Sequence, residues 1–140
     1  MKWEFILNKI KFEKYRFILT FENDISLPFY KGAILRGAFG FALKKSFCLQ
    51  GHAELCKNCQ MQESCPYSYL FESPNLGRKA DFVSLKTPIP HPFVLEPFLD
   101  GKKEYNAGET FKFDIILIGR AIDYLPHIVY TFREIGIRGL

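Results

Sequence analysis

No stretch of this 140-residue sequence is both long and free of charge. Even the apolar N-terminus, Met1 to Phe12, is interrupted by Lys2, Glu4, Lys9 and Lys11, so neither a secretion signal nor a membrane span is expected, and cytoplasmic residence is the default. Length is limited too. A chain of 140 residues suits one domain that buries roughly two-thirds of the surface its unfolded form exposes, which excludes a second one. The charge imbalance is modest: a net +4 with a pI near 8.9 permits an anionic partner without demanding one. Histidine is scarce, with three residues in the chain. What is abundant is apolar and aromatic: 48% hydrophobic residues, fifteen Phe and seven Tyr, a composition that excludes disorder.

The aromatic residues are patterned. Tyr15, Phe17, Leu19 and Phe21 alternate with Arg16, Ile18 and Thr20, the period of a strand with one buried face. After Pro28, a helix is expected from Lys31, with Leu35, Phe39, Ala42, Leu43 and Phe47 at helical spacing. Gly37 and Gly40 lie inside it at about 1 kcal/mol each against alanine, so a packed sheet or an RNA backbone should approach them closely. From Gln50 to Ala80 no period is sustained, and the segment reads as an insertion with little regular structure.

A second β region starts at Asp81 to Leu85, is interrupted by Pro88, Pro90 and Pro92, and resumes over Phe93 to Phe98. Asp100-Gly101 marks a turn. Phe111, Phe113, Ile115 and Leu117, alternating with Thr110, Lys112 and Asp114, form the clearest strand and should pair antiparallel with the preceding one. Asp123 can cap a last helix that tolerates Pro126, with Leu125, Val129, Phe132 and Ile135 as its apolar stripe until Gly136. One further strand would complete a ferredoxin-like, RRM-like βαββαβ fold of the α+β class. The chain ends at Ile137 to Leu140, where that strand would begin, which points to a truncated or split product.

Four cysteines stand at Cys48-x7-Cys56-x2-Cys59-x5-Cys65. Without a secretion signal, disulfides are disfavoured, and Cys56-Lys57-Asn58-Cys59 lacks the strand-to-helix context of a redox motif. Four soft sulfurs suit a structural zinc ion in tetrahedral geometry. An iron-sulfur cluster is the alternative, because Cys65 precedes Pro66. An ion held this way contributes on the order of 10 kcal/mol to ordering a polar insertion, about 48–80, that has little core of its own.

Four stretches of the chain resemble the CRISPR-associated repeat-processing endoribonucleases of the RAMP superfamily, in particular their N-terminal halves. They are Leu27-Pro28-Phe29-Tyr30-Lys31-Gly32-Ala33-Ile34-Leu35-Arg36-Gly37-Ala38-Phe39-Gly40, the cysteine group closing in Cys65-Pro66-Tyr67, Pro90-His91-Pro92-Phe93-Val94-Leu95-Glu96-Pro97, and Ile118-Gly119-Arg120-Ala121-Ile122-Asp123-Tyr124-Leu125-Pro126. The resemblance implies that residues 1–140 are a single N-terminal RAMP-type domain that packs against a C-terminal domain absent here. It further implies CRISPR repeat RNA as partner, in antiviral defence, and other CRISPR-associated proteins as further partners.

Enzymes of this family, the resemblance implies, cut RNA without a catalytic metal: the 2′-hydroxyl attacks the adjacent phosphate, with a base, an acid and a cation assisting. Tyr30 matches in position a tyrosine that some members use. The histidine expected near the helix end is replaced by Lys44, Lys45 and Ser46, which leaves Lys45 and His52 as the other catalytic candidates. His52 could instead replace a cysteine as metal ligand or be a solvated loop residue. His91, between two prolines, reads as a rigid structural element and His127 as a surface histidine. Arg36, Gly40 and Lys44 recur at four-residue spacing, as a basic stripe with a gap for phosphate or as a solvated helix face. Lys31, Lys45, Arg120 and Arg138 complete the candidate RNA contacts. The leading expectation is the RNA-binding domain of an endoribonuclease, itself weak or inactive in isolation. The alternatives are a non-catalytic RAMP subunit that binds guide RNA or protein partners, and a zinc-dependent interaction module.

Overall fold

A computed structural model describes residues 10–49, 56, 59–74 and 89–139. His52 and the segment Asp81 to Leu85 lie outside the described residues. In chain order the elements are β1 (Phe12–Thr20), β2 (Ile25–Ser26), α1 (Gly32–Phe47), a π-helical turn (Ser68–Glu72), β3 (Phe93–Pro97), β4 (Glu104–Tyr105), β5 (Thr110–Ile118), a 3-10 turn (Gly119–Tyr124) and α2 (Leu125–Arg138).

Alternation decides the sheet. β5 lies between β1 and β3 and runs antiparallel to both, with Phe17 opposite Phe113 and Leu95 opposite Ile115. Phe17, Phe113 and Phe93 point to the same face, and both helices cover it. The helices meet where Phe39 of α1 stacks on Phe132 of α2, with centroids 4.9 Å apart and planes 12° off parallel. Phe39, Phe113, Leu43, Ile115, Leu117 and Ile128 are fully buried around this contact. Each such side chain contributes about 1.5–3 kcal/mol through removal of apolar surface from water. The molecule is thus an α+β domain of two layers, an antiparallel sheet and a helix pair.

The other sheet face carries β1's alternate residues, Phe12, Lys14, Arg16 and Ile18, all exposed. Asp114 of β5 is buried among them because Arg16 and Lys14 close over it. A short ribbon of β2 and β4, not foreseen in the sequence, is tied to the start of α1 through Lys31. Asp100-Gly101, expected as a turn, lies in an irregular connection between β3 and β4 in which Lys102 N donates to Asp100 Oδ1 at 3.1 Å and Gly101 takes φ +71°, a conformation that suits glycine.

Two expectations are corrected in the last helix. Asp123 does not cap it: a 3-10 turn runs into α2, and its N-cap position, Tyr124, has no side-chain cap. Its buried stripe is Ile128, Thr131, Phe132 and Ile135, whereas Val129 is 48% exposed. Ile128, at i+3 from Leu125 and i−4 from Phe132, lies on the stripe that Phe132 and Ile135 continue, and Val129 falls one residue off it. Part of the insertion is also more ordered than its composition suggests, since Leu70 in the π-helical turn is fully buried in the main core. Among the described residues no helix is long and apolar enough to cross a membrane.

Candidate metal and nucleic-acid site

The π-helical turn is the organising element of the site. It follows Cys65-Pro66, closes at Ser73 in a left-handed conformation (φ 42°), and anchors itself by Leu70. Its aromatic residues spread over the surface of the core. Tyr67 stacks on Phe71 with planes 10° apart, Phe71 packs on Phe39 and Phe93, and Tyr69 packs on Tyr124. Burial, with help from Glu72, pushes the Tyr67 hydroxyl up to about 12, so it stays neutral at physiological pH.

Three of the candidate RNA-contacting cations sit on these rings. The Arg36 guanidinium lies 4.8 Å from the Phe93 centroid and 5.4 Å from that of Phe71. The Lys44 ammonium lies 5.1 Å from the Tyr67 centroid. Arg120 lies 4.9 Å from Tyr69 and donates hydrogen bonds to the Glu63 carbonyl and the Tyr124 hydroxyl, both at 3.0 Å. Arg36 and Lys44 have no carboxylate partner among the described residues. Lys45 is exposed beside the exposed Phe41 ring, and Arg138 is engaged with Glu134 one turn away at 3.1 Å.

The gap expected at Gly40 is filled from within. A Cβ there would fall 2.9 Å from the Phe71 ring, so the residue that exploits this glycine is aromatic and part of the chain, which corrects the picture of an opening for phosphate. Gly37 has nothing within 4 Å and remains open. Lys31 is also displaced from its expected role. It is 2% exposed, and its ammonium donates to Lys102 O at 2.8 Å, Asp100 Oδ1 at 3.1 Å and Phe29 O at 3.4 Å. Burial pulls its pKa down, but bonding to Tyr105 and Asp100 outweighs this and leaves it raised. Lys31 is a structural cation joining α1 to the β2–β4 ribbon.

The catalytic candidates are not gathered. Tyr30 is 60% exposed before α1 with its hydroxyl over Gly32, while Lys45 is in the last turn. The thirteen helical rises from Gly32 to Lys45 place them about 20 Å apart along the axis. His91 Nδ1 and the Ser73 hydroxyl are joined by a hydrogen bond of 3.2 Å, in keeping with a structural role.

The cysteines converge at the other end of α1. Cys48 follows its last turn, and Cys48, Cys59 and Cys65 line one cavity of about 240 Å³. The Cys59 amide donates to the Cys56 carbonyl at 3.2 Å, and the Cys65 amide to that of Met61 at 2.9 Å. Burial pushes the Cys56 thiol up; Glu72 adds to this, Lys44 opposes it, and Cys65 and Cys48 contribute in turn, which places all of these groups in one neighbourhood. No disulfide joins the four cysteines. Among the described residues no group of three His, Cys, Asp or Glu side chains is placed to hold a metal ion; the donor chemistry alone, soft sulfur around a mostly apolar cavity, is of the kind that suits tetrahedral zinc.

His127, expected on the surface, lines the same cavity. No sequence spacing announces it, because only the packing of α2 against α1 brings it there. Tyr67, Tyr69 and Phe71 were also overlooked as site residues, although their period-two repeat directly after Cys65-Pro66 is visible in the sequence.

Comparison with known proteins gives one family. The AF_1859_N family, described as an N-terminal domain, matches residues 10–140. A curated protein of Archaeoglobus fulgidus, itself uncharacterized, is 31% identical over 114 residues, which cover 81% of this chain and 37% of that protein. The chain therefore spans about a third of the length of this relative. No solved structure matches. By the extent of its family match, the chain belongs to the AF_1859_N family of N-terminal domains.

Proposed function

We propose that this chain is the RNA-binding N-terminal domain of a CRISPR repeat-processing endoribonuclease of the RAMP kind, built on a ferredoxin-like core. The observation that carries the reading is the pair Arg36 and Lys44, held over Phe93, Phe71 and Tyr67 with no carboxylate partner among the described residues. Rings beneath a cation hold it in place without cancelling its charge, and cations presented in this way suit phosphate contacts to single-stranded RNA; Phe93 itself is buried and Phe71 and Tyr67 are half-buried. The sheet order β1-β5-β3, with α1 between β1 and β3 in the chain, is compatible with the ferredoxin-like order. The outer edge of β1, unpaired among the described residues, is where its fourth strand would add.

In this reading the full-length protein cleaves by attack of a 2′-hydroxyl on the neighbouring phosphate, with Arg36, Lys44, Lys45 and Arg120 supplying phosphate contacts. A structural zinc ion held by the cysteine group Cys48, Cys56, Cys59 and Cys65 fixes the end of α1 beside them. The separation of Tyr30 from Lys45 favours a second reading, a non-catalytic RAMP subunit that binds guide RNA, since the two cannot serve one phosphate.

Full-length protein incubated with repeat RNA in EDTA, beside an RNA with a 2′-deoxy group at the cut site, separates the two. Cleavage of the normal RNA alone supports the endoribonuclease, binding without cleavage supports the subunit, and cleavage of the deoxy RNA rules out the mechanism. For binding, Arg36→Ala and Lys44→Ala should each reduce the salt slope of affinity by about 0.7. Absence of RNA binding at low salt would overturn both readings.

A further inference from the structure

Packing of α2 on α1 sets His127 beside Phe47, with ring centroids 4.9 Å apart, and beside Tyr124 at 5.5 Å. The imidazole lines the cavity already lined by Cys48, Cys59 and Cys65, and its Nδ1 is buried without a hydrogen-bond partner. Ring nitrogens withdrawn from water normally find a donor, an acceptor or a metal. The walls also carry Ser46 and Ser64 beside Phe47, Leu49, Met61 and Pro66, but neither hydroxyl bonds to the His127 Nδ1, and that of Ser64 donates to the Met61 carbonyl. Cys56 is not among the residues that line this cavity.

We propose that a zinc ion in this cavity is bound by Cys48, Cys59, Cys65 and His127, with Cys56 outside its coordination shell. The inference rests on the zinc reading above and names the ligands. Three thiolates and a neutral imidazole make a complete tetrahedral set, and the three thiol protons leave to solvent as the ion enters. Among the described residues these side chains do not yet stand as a metal-holding group, so binding requires the sulfurs to turn towards the imidazole within the cavity of about 240 Å³ that they line. The ion then joins three separate elements: the end of α1, the turn leading to Pro66, and the first turn of α2. A cysteine-only site would secure the insertion to α1 alone, whereas this one also locks the two helices together below the Phe39–Phe132 stack.

X-ray absorption at the zinc edge on the reduced, zinc-loaded full-length chain reads the ligand set directly. The expected shell is three sulfurs at about 2.3 Å and one nitrogen at about 2.0–2.1 Å. In competition with a chromophoric chelator, His127→Gln and Cys65→Ser should lose more zinc affinity than the about 10- to 100-fold that an outer-shell partner is worth, and Cys56→Ser should keep the affinity of the parent chain. A four-sulfur shell, or loss of zinc in Cys56→Ser with retention in His127→Gln, overturns the inference and leaves the zinc reading intact. Iron with inorganic sulfide on four cysteines overturns both, as does a reduced chain that binds neither metal. The absorption measurement needs no variant, so a His127→Gln chain that fails to fold does not blunt the test.

Discussion

Replacing Asp114 by asparagine removes one charge from the middle of the sheet while preserving the side chain's shape. Asp114 sits on the central strand with its side chain 3% exposed. Arg16 donates to Oδ1 from Nε at 2.9 Å and to Oδ2 from Nη2 at 3.1 Å, and Lys14 lies 3.1 Å from Oδ2. The Arg16 bonds, opposed by burial and assisted by Lys14, hold its carboxyl at about 2 against an ordinary 3.8. Because the folded value is the lower one, the carboxylate stabilises the fold fully above the unfolded value, and this is lost as pH falls from 3.8 towards about 2. A shift of this size is worth at most about 2.5 kcal/mol. Arg16 and Lys14 are 55% and 49% exposed, and solvent screening brings the expected loss in Asp114→Asn down to about 1–1.5 kcal/mol. Urea unfolding of both chains across pH should give curves separated by that amount near neutrality, converging in acid below about pH 4, with a narrower gap in high salt. A gap that persists unchanged to the lowest pH, or none at neutral pH, refutes this account of Asp114.

The two glycines of α1 should respond in opposite directions. Gly37→Ala has open space and should stabilise the chain by up to about 1 kcal/mol, whereas Gly40→Ala must displace the Phe71 ring and should destabilise it by about 1–3 kcal/mol; urea midpoints measure both. Displacement of Phe71 also removes a ring from under Arg36, so Gly40→Ala should weaken RNA binding while the remote Asp114→Asn does not, as read by fluorescence anisotropy. Lys31→Ala leaves Asp100 and two carbonyls without their cation and should lower stability by about 2–4 kcal/mol. Addition of Asp100→Asn to Lys31→Ala should then have a smaller effect than the same change in the parent chain, which a double-mutant cycle in urea would establish.

The regular framework was legible because its determinants are local. The alternation of Tyr15 to Phe21 and of Thr110 to Leu117 contains the face each strand buries, and the spacing of Leu35, Phe39 and Leu43 contains the stripe of α1, whose observed span, Gly32–Phe47, follows it closely. The antiparallel pairing of β3 with β5 could likewise be read from two apolar runs around Asp100-Gly101. In the candidate site, Arg36 and Lys44 were recognisable by spacing, and the cysteines by chemistry. What spacing could not supply is which groups occupy the space around them.

Tertiary packing decided the rest, and each case has a physical cause. Lys31 looked like any basic residue at a helix start until the β2–β4 ribbon closed over it with Asp100. Gly40 offered a gap that Phe71, thirty-one residues away in the sequence, came to fill. Val129 yields to Ile128 because the face of α2 that packs on the sheet and α1 runs through Ile128, Phe132 and Ile135, and Val129 stands one residue to its side. His127 met the cysteines only because two helices distant in the chain share the face of one sheet. The sequence by itself determined the periods, and hence the elements and their buried faces, because those depend on neighbours within a few residues. Only the folded chain determined which side chains share a cavity, a ring or a charge, because such contacts join residues that the chain alone keeps far apart.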